Sequence, residues 1–255
     1  MRLPTSLQLA ACSGLFLLAS PLCAQDKAGQ GEAYVFPNAH LLVSIDWVGE
    51  FGADDGVVVV DTRSSKDYGQ GHIPDAVHLP TSDTFDPAHM GDIASAAAIA
   101  KHLGARGITA DTHVVLYDWG KSTDAARVMW TLETYGHKQV SVVDGGFVKW
   151  KKDDFPSSRE AAKPEAVEYI LGKPTTRLST REEIITDLDD EQCMVLDSRS
   201  TREYSSGRIP GAVHIDWLEN FTPDDSGSPI LLAPAALHKL YVDQGVTLDK
   251  RLHAY

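Results

Sequence analysis

Short apolar runs alternate with segments of helical periodicity along most of the chain. Residues 57–60 are four consecutive valines, and His113–Tyr117 and Val140–Val143 are further short apolar runs. Runs of this length are typical of strands that are buried on both faces of a parallel sheet. Between them, Met90–Leu103 and Thr123–Tyr135 have the pattern of helices, and each is followed by a glycine. The pattern predicts an α/β fold, with a mainly parallel sheet and helices on both of its faces.

Two segments of the chain repeat each other. Val59–Leu79 reads VVDTRSSKDYGQGHIPDAVHL, and Val195–Ile215 reads VLDSRSTREYSSGRIPGAVHI. Eleven of these 21 aligned residues are identical at a constant offset of 136. A repeat of this strength indicates two copies of one domain.

The repeat divides the chain after its first 24 residues into three parts. We expect a first repeat over residues 33–156, a connector over residues 157–175 and a second, incomplete repeat over residues 176–255. The connector carries two prolines and mixed charges around one apolar patch, Val167–Leu171. We expect this patch to pack along the first repeat.

The first 24 residues have the features of an export signal. Arg2 precedes an apolar stretch, and the small Ala24 suits cleavage before Gln25. The stretch is shorter than the roughly 20 apolar residues that a membrane span needs, and serine and proline interrupt it. We therefore predict a periplasmic or secreted protein with no stable membrane span after cleavage. Leu9–Cys12 resembles a lipoprotein cleavage box, so lipidation of Cys12 is the alternative.

The net charge and the number of cysteines argue against two classes of protein, nucleic-acid-binding proteins and disulfide-stabilised scaffolds. The chain has 36 Asp and Glu residues against 23 Lys and Arg, and its net charge is −13. An acidic surface repels a phosphate backbone, which argues against nucleic-acid binding. Three cysteines are too few for a disulfide scaffold, and two of them lie in the first 24 residues. The remaining Cys193 precedes an apolar run, and we expect it to be a buried, non-catalytic thiol.

Several residues shared by the two repeats indicate structural roles. Asp61 and Arg63 stand where the four-valine run ends, which favours an internal ion pair or hydrogen bonds to the backbone. Pro74 belongs to a turn. The second repeat has the same residue types at Asp197, Arg199 and Pro210.

Two histidines near this turn raise the question of a metal site. His72 and His78 lie close in sequence, but no third ligand has the spacing of a metal centre. We expect no bound metal and a structural role for His72.

The repeated D-x-R…Y…G-H-I-P-x-A-V-H pattern resembles the rhodanese homology domain. Asp144-Gly145-Gly146-Phe147 with Trp150 resembles the D-G-G-x-x-x-W segment that closes the same domain. The tandem is similar to two-domain thiosulfate or 3-mercaptopyruvate sulfurtransferases. The resemblance implies two rhodanese-like domains and transfer of a sulfane sulfur from such a small donor to a thiophilic acceptor such as cyanide. It implies a cysteine persulfide in the second domain and no cofactor.

The resemblance also implies where that cysteine stands, directly after a central strand and before a loop that leads into a helix. In the first repeat the strand ends at Tyr117 and Asp118 follows, as in the non-catalytic first domain of tandem relatives. Asp118 is therefore a degenerate active-site position. In the second repeat Arg251–Tyr255 aligns with that strand, so the catalytic residue would follow Tyr255. We expect a sequence truncated just before this cysteine, and a 255-residue chain that is inactive in sulfur transfer.

The sequence leaves open which sulfur donor is used and whether the protein is catalytically active. Mercaptopyruvate-type relatives hold their donor with arginines in a longer insertion, whereas the segment Glu203–Gly207 is short. Arg202 and Arg208 are the candidate substrate-binding residues, with a solvated surface role as the alternative. The alternative function is a catalytically inactive rhodanese-homology module that binds a partner or an anion. Phosphatase chemistry on this fold would need a cysteine and a downstream arginine in a longer loop.

Overall fold

The first repeat is a parallel sheet with helices on both faces. The computed structural model describes residues 38–89, 91–175 and 178–255. Within these ranges the strands of the first repeat are β1 (Leu42–Val43), β2 (Val57–Asp61), β3 (Val77–His78), β4 (His113–Tyr117) and β5 (Val140–Val143). They lie in the order β1-β5-β4-β2-β3, and every pair is parallel. The helices are α1 (Ile45–Phe51), α2 (Ser65–Gln70), α3 (Ala96–Gly104), α4 (Thr123–Thr134) and α5 (Gly146–Lys152).

The core of this repeat lies on both faces of the sheet because adjacent residues of a strand point in opposite directions. On β4, Val114 and Leu116 pack with residues of α3 and α4. Val115 and Tyr117 of the same strand pack with residues of α1 and α5. All four side chains are fully buried. The predicted α/β class and the buried central strand are confirmed, and β4 leads from the middle of the core to the candidate site.

One helix boundary differs from the prediction. The helix expected over Met90–Leu103 begins only at Ala96, and residue 90 lies outside the described residues. Ser95 caps the helix, since its Oγ accepts a hydrogen bond from the backbone N–H of Ala98 at 3.3 Å. Before this cap, Ile93 forms a bridge to Phe85 that holds the chain in a loop.

The second repeat reproduces the centre of the first. Its elements within the described residues are α6 (Arg181–Asp187), β6 (Cys193–Asp197), α7 (Thr201–Ser206), β7 (Val213–His214), β8 (Phe221–Pro223), β9 (Pro229–Leu231), α8 (Pro234–Asp243) and β10 (Arg251–Ala254). The parallel order β10-β6-β7 corresponds to β4-β2-β3, while β8 and β9 form an antiparallel hairpin. The two copies therefore share one topology around the strand that carries the Asp-x-Arg sequence.

The connector is fastened along the first repeat. Tyr169 is buried against the helices α3 and α4, and its hydroxyl oxygen lies 2.9 Å from Nδ1 of His137. The backbone N–H of Val167 donates to the carbonyl of Gly104 at 2.9 Å. A Cβ at Gly104 would lie 2.4 Å from the carbonyl oxygen of Val167, so only glycine permits this approach. Of the predicted apolar patch, Tyr169 and Leu171 pack against the first repeat, whereas the side chains of Val167 and Ile170 are exposed.

The hairpin of the second repeat contacts the end of the first, and both belong to one compact unit, residues 34–255. Nζ of Lys149 donates to Oδ2 of Asp224 at 2.8 Å, and Oδ1 of Asp144 accepts from the backbone N–H of Leu231 at 2.9 Å. Although burial opposes it, hydrogen bonds from Lys149, Ser226 and Ser228 hold the pKa of Asp224 well below its usual value. These contacts join α5 to the β8–β9 hairpin.

The proposed export signal, residues 1–24 with Cys12, lies outside the described residues, as do residues 33–37 of the first repeat. In the part of the chain that is described, no helix has both the length and the apolar character needed to cross a membrane.

Candidate functional site

The loop after β4 encloses a carboxylate in a ring of backbone N–H groups. Oδ1 of Asp118 accepts from the N–H of Gly120 at 2.7 Å and of Ser122 at 3.1 Å. Oδ2 accepts from the N–H of Asp124 at 3.1 Å, in the first turn of α4. The first N–H groups of a helix lack intrahelical partners, and the helix dipole stabilises negative charge there. This loop is therefore an anion cradle, and its anion is the buried side chain of Asp118.

The cradle keeps its shape because it is pressed against α5. Ser122 has a left-handed backbone with a φ of 57°, which turns the chain into α4. A Cβ at Gly146 would lie 2.7 Å from both the carbonyl oxygen of Asp118 and the backbone nitrogen of Gly120. The N–H of Phe147 donates to the carbonyl of Asp118 at 2.9 Å. The glycine pair noted in the sequence thus allows α5 to clamp the loop.

A buried Asp–Arg–Tyr group supports the base of the cradle. Oδ1 and Oδ2 of Asp61 accept from Nε and Nη2 of Arg63 at 3.0 and 2.5 Å, and both side chains are fully buried. Oδ2 also accepts from the hydroxyl of Tyr117 at 2.7 Å. Burial, followed by the negative charge of Asp61, raises the pKa of Tyr117, so this hydroxyl remains a donor. Nη2 of Arg63 also donates to the carbonyl of Gly71 at 2.7 Å.

Aromatic rings enclose the guanidinium of Arg63. Its Cζ lies 4.0 Å from the ring centre of Phe147 and 4.6 Å from that of Trp119, the residue after Asp118. Nη1 has no hydrogen-bond partner among the described residues. The ring faces therefore take the place of hydrogen bonds at this nitrogen.

The second repeat contains the same group. Nε and Nη2 of Arg199 donate to Oδ1 and Oδ2 of Asp197 at 3.0 and 2.6 Å, and Nη2 donates to the carbonyl of Gly207 at 2.8 Å. The hydroxyl of Tyr255 accepts from the N–H of Ile209 at 2.9 Å. The hydrogen bond from Arg199 holds the pKa of Asp197 well below its usual value. The side chain of Arg199 is 33% exposed, whereas that of Arg63 is fully buried.

The backbone places Tyr255 where Tyr117 stands in the first repeat. The N–H of Ser198 donates to the carbonyl of Tyr255 at 2.9 Å, as that of Thr62 does to the carbonyl of Tyr117 at 3.0 Å. Tyr255 is therefore the structural counterpart of Tyr117.

The two prolines singled out in the sequence, Pro74 and Pro210, occupy equivalent tight turns in the two repeats. The N–H of Ala76 donates to the carbonyl of Ile73 at 3.1 Å across Pro74, and the following Asp75 has a φ of 60°. In the second repeat Pro210 is followed by Gly211 with a φ of 77°. Proline at the second position and a positive φ at the third are typical of a type II turn.

The histidines near this turn bind backbone groups. Nδ1 of His72 lies 2.8 Å from the carbonyl oxygen of Tyr68, and Nε2 lies 3.0 Å from that of Glu160 in the connector. Nε2 of His78 lies 2.9 Å from the carbonyl oxygen of Arg63. His72 thus fastens the connector to the turn.

The candidate donor-binding arginines are both exposed. Arg202 lies on α7. Arg208 occupies the position of His72 in the second repeat, and its Cζ lies 4.5 Å from the ring centre of Tyr204. The structure brings Arg199 close to the ring of Tyr255, at 5.0 Å.

Sequence reasoning missed two features. The first is the enclosure of Arg63 by the rings of Trp119 and Phe147, which are distant from it in sequence. Phe147 belongs to the D-G-G-F motif, but the motif alone does not show that its ring contacts Arg63. Cys193, expected to be buried, is only half-buried at the start of β6, and its surroundings include Asp187 and His253. Polar neighbours replace the apolar contacts that the run after Cys193 led us to expect.

Comparisons with known proteins agree with this architecture. The family of rhodanese-like domains matches residues 44–153 and 180–250. The chain is 30% identical over 241 residues to thiosulfate sulfurtransferase of Bos taurus, covering 84% of this chain and 80% of that protein. It is 28% identical over 204 residues to 3-mercaptopyruvate sulfurtransferase of Rattus norvegicus, covering 74% and 67%. The crystal structure of SseA from Escherichia coli has a TM-score of 0.74 at 22% identity, covering 84% and 87%.

Proposed function

Because the chain belongs to the rhodanese-like domain family, we propose that it is a tandem sulfurtransferase whose second repeat carries the reactive centre. It moves a sulfane sulfur from thiosulfate or 3-mercaptopyruvate to a thiophilic acceptor such as cyanide. The observation that carries the proposal is the duplicated Asp–Arg–Tyr group. In the second repeat this group stands directly before the position that corresponds to Asp118.

The reactive group is a cysteine directly after Tyr255. Its thiolate attacks the outer sulfur of thiosulfate, the S–S bond breaks, and sulfite leaves with the bonding electron pair. The acceptor then attacks the outer sulfur of the persulfide, which forms thiocyanate from cyanide and regenerates the thiolate. Neither step requires a redox cofactor.

The loop after β4 in the first repeat supports this chemistry, because it shows how such a loop stabilises an anion. Its cradle stabilises a carboxylate with three N–H groups, and the same loop type lowers the pKa of a thiol and stabilises an anionic donor. Asp118 fills the cradle but carries no sulfur, so the first repeat is not the reactive one. Its role is to pack against the second repeat and to hold the connector.

Cys193 does not replace the missing thiol. It is the first residue of β6, whereas Asp197, at the base of the site, is the last. Four steps along a strand separate them by roughly 13 Å. We therefore expect the 255-residue chain to be inactive in sulfur transfer.

The test compares the 255-residue chain with a chain extended by the residues that its gene encodes after Tyr255. Thiocyanate formation from thiosulfate and cyanide is measured for both. We expect activity in the extended protein alone, loss of it when serine replaces the cysteine after Tyr255, and retention of it in Cys193→Ala. Thiocyanate from the 255-residue chain would contradict the assignment. An extended protein that has no cysteine at that position and no activity would instead favour an inactive binding module.

Thiosulfate is the donor that we expect to be preferred. The helix α7 is six residues long and Gly207 follows it at once, which leaves no insertion for carboxylate-binding arginines. The measurement is kcat/KM of the extended protein for thiosulfate and for 3-mercaptopyruvate. Arg208→Gln and Arg202→Gln then test whether either cation binds the donor, which would raise KM. A higher kcat/KM for 3-mercaptopyruvate would contradict the preference.

The leader supports a periplasmic or secreted location. The prediction is an N-terminus at Gln25 in protein recovered from the exported fraction, measured by mass spectrometry of the intact chain. Protein that retains its leader inside the cell would contradict this location.

A further inference from the structure

Three side chains with metal-binding atoms converge on the sheet face covered by α6. They are Asp187 at the end of α6, Cys193 at the start of β6 and His253 on β10. One ligand atom from each lies within 4.8 Å of the other two. Nε2 of His253 is 2.9 Å from Oδ2 of Asp187, and their side chains are 5% and 15% exposed. The group is therefore compact, with Asp187 and His253 shielded from solvent and Cys193 half-buried.

The first repeat holds apolar residues at all three positions. The offset of 136 places Phe51 and Val57 opposite Asp187 and Cys193. Strand register provides the third pair, since Val115 lies beside Val59 and His253 lies beside Val195 at the matching position of the second repeat.

Apolar packing is sufficient at these positions in the first repeat, where Val115 is fully buried and Val57 packs against the same cluster. The second repeat has exchanged all three side chains for a carboxylate, a thiol and an imidazole. Buried polar groups cost stability unless they are bonded. Here they bond to one another and to Ser179, Asp190 and Arg251, and together they concentrate three metal-binding atoms where the first repeat has none.

The surroundings orient the group towards a common centre. Nδ1 of His253 lies 2.9 Å from Oγ of Ser179, which leaves Nε2 to face Asp187 and Cys193. Metal-binding histidines usually donate their second N–H to such a partner. Nη1 of Arg251 donates to Oδ2 of Asp187 at 2.9 Å and holds this carboxylate in place.

We infer that Asp187, Cys193 and His253 bind a zinc ion, with water as the fourth ligand. Thiolate, imidazole and carboxylate are the donors that Zn²⁺ takes in tetrahedral sites. The two anionic ligands balance the charge of the ion. Binding requires the Cys193 thiolate and a neutral imidazole with its proton on Nδ1, so the thiol proton goes to solvent and the Nε2 lone pair coordinates the ion. The ion joins α6, β6 and β10, at the end of β6 remote from the sulfur-transfer site, and stabilises the second repeat.

The experiment uses the full chain after removal of metals with a chelator. Zn²⁺ affinity is measured in competition with a chromophoric chelator, and Co²⁺ is bound as a spectroscopic probe. We expect one equivalent of metal and a thiolate-to-cobalt charge-transfer band. Ser179→Ala should weaken binding by about 10-fold, the effect of losing an outer partner, and Cys193→Ser or His253→Gln by about 100-fold or more.

The first repeat supplies the matched control for folding. Cys193→Val with His253→Val restores two residues of the first repeat, so this variant should fold and fail to bind. Zn²⁺ should raise the Tm of the parent chain and leave the Tm of this variant unchanged.

Two further variants exclude adventitious binding. Cys12→Ser with Cys23→Ser, and His89→Gln at a 73%-exposed histidine, should each bind as the parent does. A cobalt spectrum without the thiolate band, or equal affinity in Cys193→Ser, would overturn the zinc site.

Discussion

The buried pair between Asp61 and Arg63 allows a quantitative test of how the site is supported. Both side chains are fully buried, and the carboxylate accepts from Nε and Nη2 of Arg63 and from the hydroxyl of Tyr117. Asp61→Asn keeps the shape but leaves the guanidinium without a counter-charge. Arg63→Met leaves the carboxylate with Tyr117 and one backbone N–H. Removing one partner of a buried pair costs about 3–5 kcal/mol of unfolding free energy.

The double variant Asp61→Asn with Arg63→Met separates the pair from its surroundings. If the singles were independent, their costs would add to about 6–10 kcal/mol. In the double variant no charge remains unmatched, so its cost should fall below that sum by roughly 2–3 kcal/mol, the coupling expected for residues that share a network. The corresponding change at Arg199 should cost less, because this side chain is 33% exposed and water screens its loss.

The assay is urea unfolding followed by tryptophan fluorescence and circular dichroism. An unchanged m-value shows that the variants change stability and leave the unfolded state unaltered. Arg63→Lys is the control that keeps the charge without the two-pronged geometry, and it should fall between the parent and Arg63→Met. Single variants that cost under about 1 kcal/mol, or a double variant equal to their sum, would refute the reasoning.

Two further predictions follow from the first repeat. Gly146→Ala places a Cβ 2.7 Å from the carbonyl oxygen of Asp118 at a φ of 51°, so it should lower the unfolding free energy by about 1–3 kcal/mol and, with it, the urea midpoint. Gly69→Ala, which has open space around it, should leave the midpoint unchanged. Equal midpoints for the two variants would contradict the close approach. Burial lowers the pKa of His137, so the unfolded chain takes up its proton first, and stability should decline as pH falls below about 6.5. His137→Gln should reduce this decline in Tm, and an unchanged pH profile would contradict it.

The sequence was most informative where one local property decides the structure. The strands β4 and β5 have the predicted bounds because each is a short, mostly apolar run that ends at an aspartate. The start of α3 was wrong because the apolar pattern before Ala96 continues through a loop, and the Ser95 cap decides the boundary. The repeat gave the duplicated topology because sequence identity is concentrated in the segment from β2 to β3.

The site was only partly predictable. Asp118 was placed by its resemblance to a known pattern, but the three N–H groups that surround its carboxylate depend on backbone angles at Gly120 and Ser122. The group formed by Asp187, Cys193 and His253 was missed, because 66 residues separate its carboxylate from its imidazole. Aligning the two repeats position by position is the signal that could have shown it.

The carboxylate of Asp118 is a ligand that cannot diffuse away. Because it is tethered to the loop that binds it, its effective concentration at the three N–H groups far exceeds that of any free anion. Sulfite, sulfate or a donor molecule would have to displace it before entering the first cradle. The loop after β4 is therefore closed to dissolved anions, and a titration of this chain with sulfite or sulfate should show no binding at that loop.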